Sequence, residues 1–203
     1  MALKIPVKVN SVNNLTDARY CAGMGVSMIG FNFDTRANNS LHIQKVLEIS
    51  GWISGVEKVG EFEGITPEED VAIARRIELD YIQFNTLNSR IKQIDFPVIQ
   101  KLVIDNTKRD NIPTLIKEYS DHVKYFLIEC DTDELIGLKS DIKHWCTLAP
   151  IILGFGVTTQ NLDVILNEIK PAGISIQGGD EIRPGFKDLD ELIDLLEALE
   201  IED

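Results

Sequence analysis

A chain of 203 residues is long enough for one substantial domain and short for two, and its 44% hydrophobic and 26% charged residues are those of an ordinary globular protein. A net charge of −13 argues against a nucleic-acid surface, which needs clustered Lys and Arg against the phosphates. It leaves room for a single bound phosphate, which a few backbone N–H groups at a helix start can hold.

The opening segment MALKIPVKVN has no apolar run long enough for a signal region or a membrane span, so a cytoplasmic protein without a membrane partner is expected. Cys21, Cys130 and Cys146 stand at unrelated spacings inside apolar stretches and read as small buried hydrophobes rather than a disulfide framework or zinc site. His42, His122 and His144 are not clustered, so no metal and no cofactor is expected.

In chain order, short β-branched runs alternate with longer segments of helical period. Strands are expected at Pro6–Asn10, Met28–Phe33, Lys58–Phe62, Tyr81–Asn85, Val98–Ile104, Phe126–Cys130, Ile151–Gly156 and Gly173–Gln177. Helices are expected at Leu15–Met24, Ile43–Ile53, Pro67–Glu78, Ser89–Ile94, Ile112–His122, Asp133–Leu148, Thr159–Ile169 and Leu189–Glu200. Asn13 or Asn14 can cap the first of these, and Thr66-Pro67-Glu68-Glu69 supplies a cap, a first-turn proline and two N-terminal acids for the third.

Strands this apolar are covered on both faces, and strict strand–helix alternation is the parallel βαβ unit. Eight such units predict an α/β fold, a single (β/α)8 TIM barrel spanning residues 1–203. No Gly-x-Gly-x-x-Gly follows the first strand, which argues against an open dinucleotide-binding sheet.

Such a barrel works at the C-terminal ends of its strands. Asn10, Asn32, Asp34, Glu61, Asn85, Lys101, Glu129 and Asp131 fall there. Lys101 in PVIQKLVI and Glu129 in YFLIEC are polar residues inside apolar strands, an arrangement that costs folding energy unless they are satisfied. They read either as a proton-handling pair at the mouth or as a salt bridge filling the upper barrel layer. Gly154 and Gly156 follow the seventh strand and Gly178 and Gly179 the eighth, where small residues let backbone amides face an anion. They are the candidate phosphate-binding residues, although glycines are ordinary turn residues as well.

Several segments together resemble one family. VKVNSVNNLTDARYCAGMGVSMIGFNF, VGEF at Val59–Phe62, DYIQFN at Asp80–Asn85, VIQKL at Val98–Leu102, PIILGFGVTTQNL and the Pro184–Asp188 ending of ISIQGGDEIRPGFKD are similar, in order, to segments of phosphoribosylanthranilate isomerase, of tryptophan biosynthesis. The resemblance implies the barrel, a phosphorylated metabolite as partner, and an Amadori rearrangement of an aminoaldose to an aminoketose; a monomer or small homo-oligomer is compatible with the sequence. It also implies an aspartate acid after strand six and a cysteine base ending strand one. The cysteine position here holds Asn10, followed by Ser11 in place of glycine. The aspartate position holds Glu129, with Asp131 the alternative. The arginine after strand two falls on Asn39 with Arg36 close by, and the His-Gly after strand four is Asn85-Thr86. The glycine-rich loop after strand six is replaced by DTDELIGLKSD.

An asparagine amide has no proton-transfer pKa near neutrality, so Asn10 does not replace a thiolate base. The expectation is a barrel that binds a phosphosugar-type ligand, with Asn32, Arg36 and Asn85 on the substrate side, and that has diverged from the parent reaction. A retained isomerase using Glu129 or Asp131 with another base is the alternative, and a non-catalytic partner-binding scaffold a third reading.

Overall fold

Alternation within the first strand sets the plan of the molecule. In β1 (Val7–Asn10) the side chains of Val7 and Val9 turn outward into the layer beneath the helices, while Lys8 and Asn10 point into the barrel. The computed structural model describes residues 2–37, 39–104, 109–131, 135–178, 181–183, 186–187 and 190–201.

The remaining strands are β2 (Met28–Asn32), β3 (Glu57–Phe62), β4 (Tyr81–Phe84), β5 (Val98–Ile104), β6 (Tyr125–Cys130), β7 (Ile151–Leu153) and β8 (Gly173–Gln177). With β1 they pair in sequence order, all parallel, and β8 closes back on β1 through the register Val7↔Ile174 to Asn10↔Gln177. The helices are α1 (Leu15–Gly23), α2 (Ile43–Ser50), α3 (Pro67–Arg76), α4 (Ile112–Tyr119), α5 (Leu135–Cys146), α6 (Leu162–Val164) and α7 (Asp190–Leu199). The expected closed (β/α)8 barrel is therefore what the chain forms.

Two cores result. The larger lies between the outward faces of the strands and the helices, and includes Ile29, Phe31, Ile82, Phe84, Phe126, Ile128 and Trp145. The smaller fills the lower barrel with Met28, Val59, Ile99, Leu127 and Ile152, against Tyr81 and Tyr125. Above that apolar plug the inward positions become polar, with Asn10, Glu61, Gln83 and Ser175 buried at this level.

Local departures from the expected elements have physical reasons. Ser89–Gln93 is a 3-10 turn, not an α-helix: Asn88 accepts from Arg90 N, and the chain must be extended again before Pro97. The segment after β7 begins as α6 and widens into a π turn over Ile165–Ile169, ending at Lys170 in the left-handed region. The seventh strand stops at Leu153 rather than Gly156. An antiparallel hairpin of β9 (Glu181–Arg183) and β10 (Phe186–Lys187) was not expected from the sequence. No helix of the described residues is long and apolar enough to cross a membrane.

Candidate functional site

Two Lys–Glu pairs occupy the upper barrel on opposite sides. The first is Lys8 Nζ to Glu61 Oε1 at 2.6 Å, both almost wholly buried. Glu61 is further held by Ser11, whose hydroxyl donates to Oε2 at 2.9 Å and whose backbone N–H donates at 3.2 Å. Lys8 also donates to Asn10 Oδ1, which accepts from Ser175 Oγ at 2.9 Å. These bonds tie β1, β3 and β8 together at the mouth. A charge so deeply buried persists only when its partners are close and numerous, as here.

The second pair is Lys101 Nζ to Glu129 Oε2 at 2.6 Å, and its side chains keep 23% and 17% of their surface exposed. Lys101 on β5 lies opposite Leu127 and Val103 opposite Glu129 in the β5–β6 ladder, so both charges project from one inward face. The sequence expectation of a pair at this place is met in geometry. Its partial exposure makes the pair reachable from the mouth, unlike Lys8–Glu61.

Two glycines make room for these carboxylates. A Cβ at Gly30 would lie 1.9 Å from Glu61 Oε1 and 3.0 Å from Lys8 Nζ. A Cβ at Gly154 would lie 2.8 Å from Leu127 Cδ1 and 3.1 Å from Glu129 Cγ. Gly154 N–H donates to Ile128 O at 2.9 Å, extending the β7–β6 ladder, and Gly178 N–H donates to Asn10 O at 3.3 Å. Those two amides, expected to face an anion, instead bond strand carbonyls. The sequence does not separate a glycine needed for packing from one needed for an anion.

Gly156 is held differently. It adopts φ +61, and Asn161 fastens its loop by donating Nδ2 to Gly156 O at 2.6 Å and accepting from Thr158 N at 3.0 Å. This loop lines a cavity of about 770 Å3 together with Leu135–Gly137 of α5 and Glu191 of α7. Gly179 lies outside the described residues, as do Pro184, Gly185 and Asp188 of the sequence motif.

The three substrate-side candidates meet at the rim. Arg36 grips Asp34 through Nε and Nη2 at 2.9 and 3.2 Å, and its Nη2 also reaches Glu63 Oε2 at 2.9 Å. Asn85 donates through Nδ2 to Glu63 Oε1 at 3.4 Å, and its Oδ1 accepts from Gln83 Nε2 at 2.9 Å. Asn32 donates to Asn39 Oδ1 at 2.7 Å and accepts from Asp34 N at 2.9 Å. Hydrogen bonding from the Arg36 guanidinium holds the Asp34 carboxyl below the usual carboxylate range, and the two carboxylates raise Arg36 in turn. Asp131 is exposed beyond the end of β6.

Lys8, Ser11, Glu63 and Ser175 were not among the sequence candidates for site roles. Lys8 carried a readable signal, since it is the polar residue between two valines in VKVN, the same pattern that singled out Lys101. No group of three or more His, Cys, Asp or Glu among the described residues could hold a metal ion. Burial pushes the Cys146 thiol up to about 11, in keeping with a structural role.

No protein-family model matches the chain. Curated relatives match it nearly end to end. The N-(5'-phosphoribosyl)anthranilate isomerase of Petrotoga mobilis is 28% identical over 209 residues, covering 97% of this chain and 99% of its own. That of Rubrobacter xylanophilus is 27% identical, covering 89% and 92%. A crystal structure of phosphoribosyl anthranilate isomerase in complex with reduced 1-(o-carboxyphenylamino)-1-deoxyribulose 5-phosphate superposes with a TM-score of 0.77 at 22% identity, covering 96% of this chain and 98% of that one. Along its whole length in sequence, and in its closed eight-stranded barrel, the chain is similar to the phosphoribosylanthranilate isomerases.

Proposed function

We propose that this chain is an isomerase of the phosphoribosylanthranilate type, taking a phosphorylated aminoaldose to the aminoketose at the C-terminal mouth of the barrel. The observation that carries the reading is the Lys101–Glu129 pair, in contact at 2.6 Å and partly open to the mouth. Ring opening needs a proton delivered to the ring oxygen, and this pair sets a proton donor and a proton acceptor side by side at the mouth. The Gly156 loop and its cavity are where the phosphate would sit. Gln83 Oε1, buried and without a protein partner among the described residues, offers an acceptor to a sugar hydroxyl. Full-length similarity to enzymes of this activity supports the reading over one in which the chain has left the parent reaction.

One observation favours that second reading, in which the barrel binds a phosphosugar without isomerising it. The Asn10 amide, where the resemblance places a base, is 4% exposed and engaged by Lys8 and Ser175. The deciding experiment gives purified protein phosphoribosylanthranilate and follows its fluorescence decay, beside complementation of a tryptophan auxotroph. Turnover that falls about 10²–10⁴-fold in Glu129→Gln is the expected result. Saturable binding of the substrate without turnover would leave the second reading standing alone.

A further inference from the structure

An aldose–ketose shift needs two proton-handling groups, and Lys101–Glu129 on β5 and β6 supplies one. Across the mouth, the end of β1 carries Asn10, which cannot transfer protons. The structure nevertheless brings a carboxylate to that end from another strand. Glu61 reaches from β3 to the residue after β1, where Ser11 donates its hydroxyl to Oε2 at 2.9 Å and its N–H at 3.2 Å. Three further features serve this arrangement. Gly30, on the strand between them, leaves the space that the Glu61 carboxylate fills. Lys8 fixes the other carboxylate oxygen at 2.6 Å. Ser11 holds φ +52, a left-handed conformation that a serine adopts at a cost, and it is half-buried at the mouth where Glu61 is shut away.

We infer that Ser11 and Glu61 form the second proton-handling group of this barrel, with Ser11 Oγ meeting the substrate and Glu61 acting through it. The inference rests on the isomerase reading above. After ring opening to the protonated imine, Ser11 Oγ takes the C2 proton while its own passes to Glu61 Oε2. The C2–H electron pair becomes the C1=C2 bond, and the imine π pair returns to nitrogen. The proton held on Glu61 goes back through Ser11 to C1 as the enaminol becomes the ketone. On the opposite side, the group that protonated the ring oxygen regains a proton from the C2 hydroxyl. Each group ends as it began.

The test uses the full chain with phosphoribosylanthranilate. Ser11→Gly removes the hydroxyl and relieves the left-handed strain, leaving Lys8–Glu61 intact. Its melting temperature should hold or rise while kcat falls about 10²–10⁴-fold and KM stays within about twofold. Lys8→Met/Glu61→Gln, which removes both buried charges together, should lower kcat similarly with KM again within about twofold. If the wild type turns over and Ser11→Gly keeps its kcat, the relay is wrong and the isomerase reading stands. If the wild type binds the substrate without turnover, the isomerase reading fails and takes the relay with it.

Discussion

Gly30 and Glu61 define each other: the space a Cβ would occupy at position 30 holds the Glu61 carboxylate, 1.9 Å from the ideal Cβ position. β2 is paired to β3 with Phe31 opposite Gly60 and Asn32 opposite Glu61, so the strands cannot part to relieve a clash. Gly30→Ala must therefore displace the carboxylate from Lys8 and Ser11. Overpacking typically costs about 1–3 kcal/mol, and loosening a buried ion pair pushes toward the upper end. For a chain of this length that is a melting temperature lower by about 4–10 °C. Thermal denaturation checks it, and an unchanged transition would mean that Glu61 does not occupy that space.

Lys8 and Glu61 should couple strongly in a double-mutant cycle. Lys8→Met alone strands a carboxylate at 4% exposure and Glu61→Leu alone strands an ammonium at 1%, so each single change should cost about 3–5 kcal/mol. Lys8→Met/Glu61→Leu removes both charges and should recover most of that loss. Urea titrations of the four proteins measure the coupling. Additive single costs would show that the two side chains do not share their burial energy.

The same pair marks how far the sequence was legible. The eight strands could be read because both faces of each are covered, which leaves continuous apolar runs between helical segments. Lys101 and Glu129 could be paired because they sit on successive strands at inward positions of apolar runs. Lys8 and Glu61 could not, because β1 and β3 are not ladder neighbours, and their contact reaches across β2, where Gly30 leaves the space between them. The seventh-strand glycines showed a different limit. Gly154 and Gly156 look alike in LGFG, yet one amide completes a ladder and the other residue turns a left-handed corner. Short hairpin strands such as β9 and β10 leave too little pattern for period-based reading.

Those two glycines should respond differently to a methyl group. Gly154→Ala meets Leu127 Cδ1 at 2.8 Å and Glu129 Cγ at 3.1 Å, so it should lower stability by about 1–3 kcal/mol and disturb the Lys101–Glu129 pair. Gly156→Ala places an alanine at φ +61, costing about 1 kcal/mol of backbone strain, and should weaken inorganic phosphate as an inhibitor of the isomerase assay. Phosphate inhibition unchanged in Gly156→Ala would remove this loop from the anion site.

Asp70 gives the fold a pH dependence of its own. Burial raises its carboxyl to about 6, with Glu69 and Glu68 adding repulsion in the first turn of α3. It lines a cavity of about 430 Å3 with Phe33, Phe62, Ile73 and the exposed His42 at the start of α2. Because the folded-state value lies above the unfolded one, the stability linked to this group is fully present below about pH 4. It is lost as pH rises through about 6. A shift of this size corresponds to about 3 kcal/mol, reduced to about 1 kcal/mol at a half-buried site screened by solvent. Asp70→Asn should therefore leave stability nearly unchanged at pH 4 and raise it by about 1 kcal/mol at pH 7.5. The opposing influence is the N-terminal dipole of α3, which favours an anion there by about 0.3–1 kcal/mol. A variant less stable than wild type at pH 7.5 would show that the dipole outweighs burial at this carboxyl.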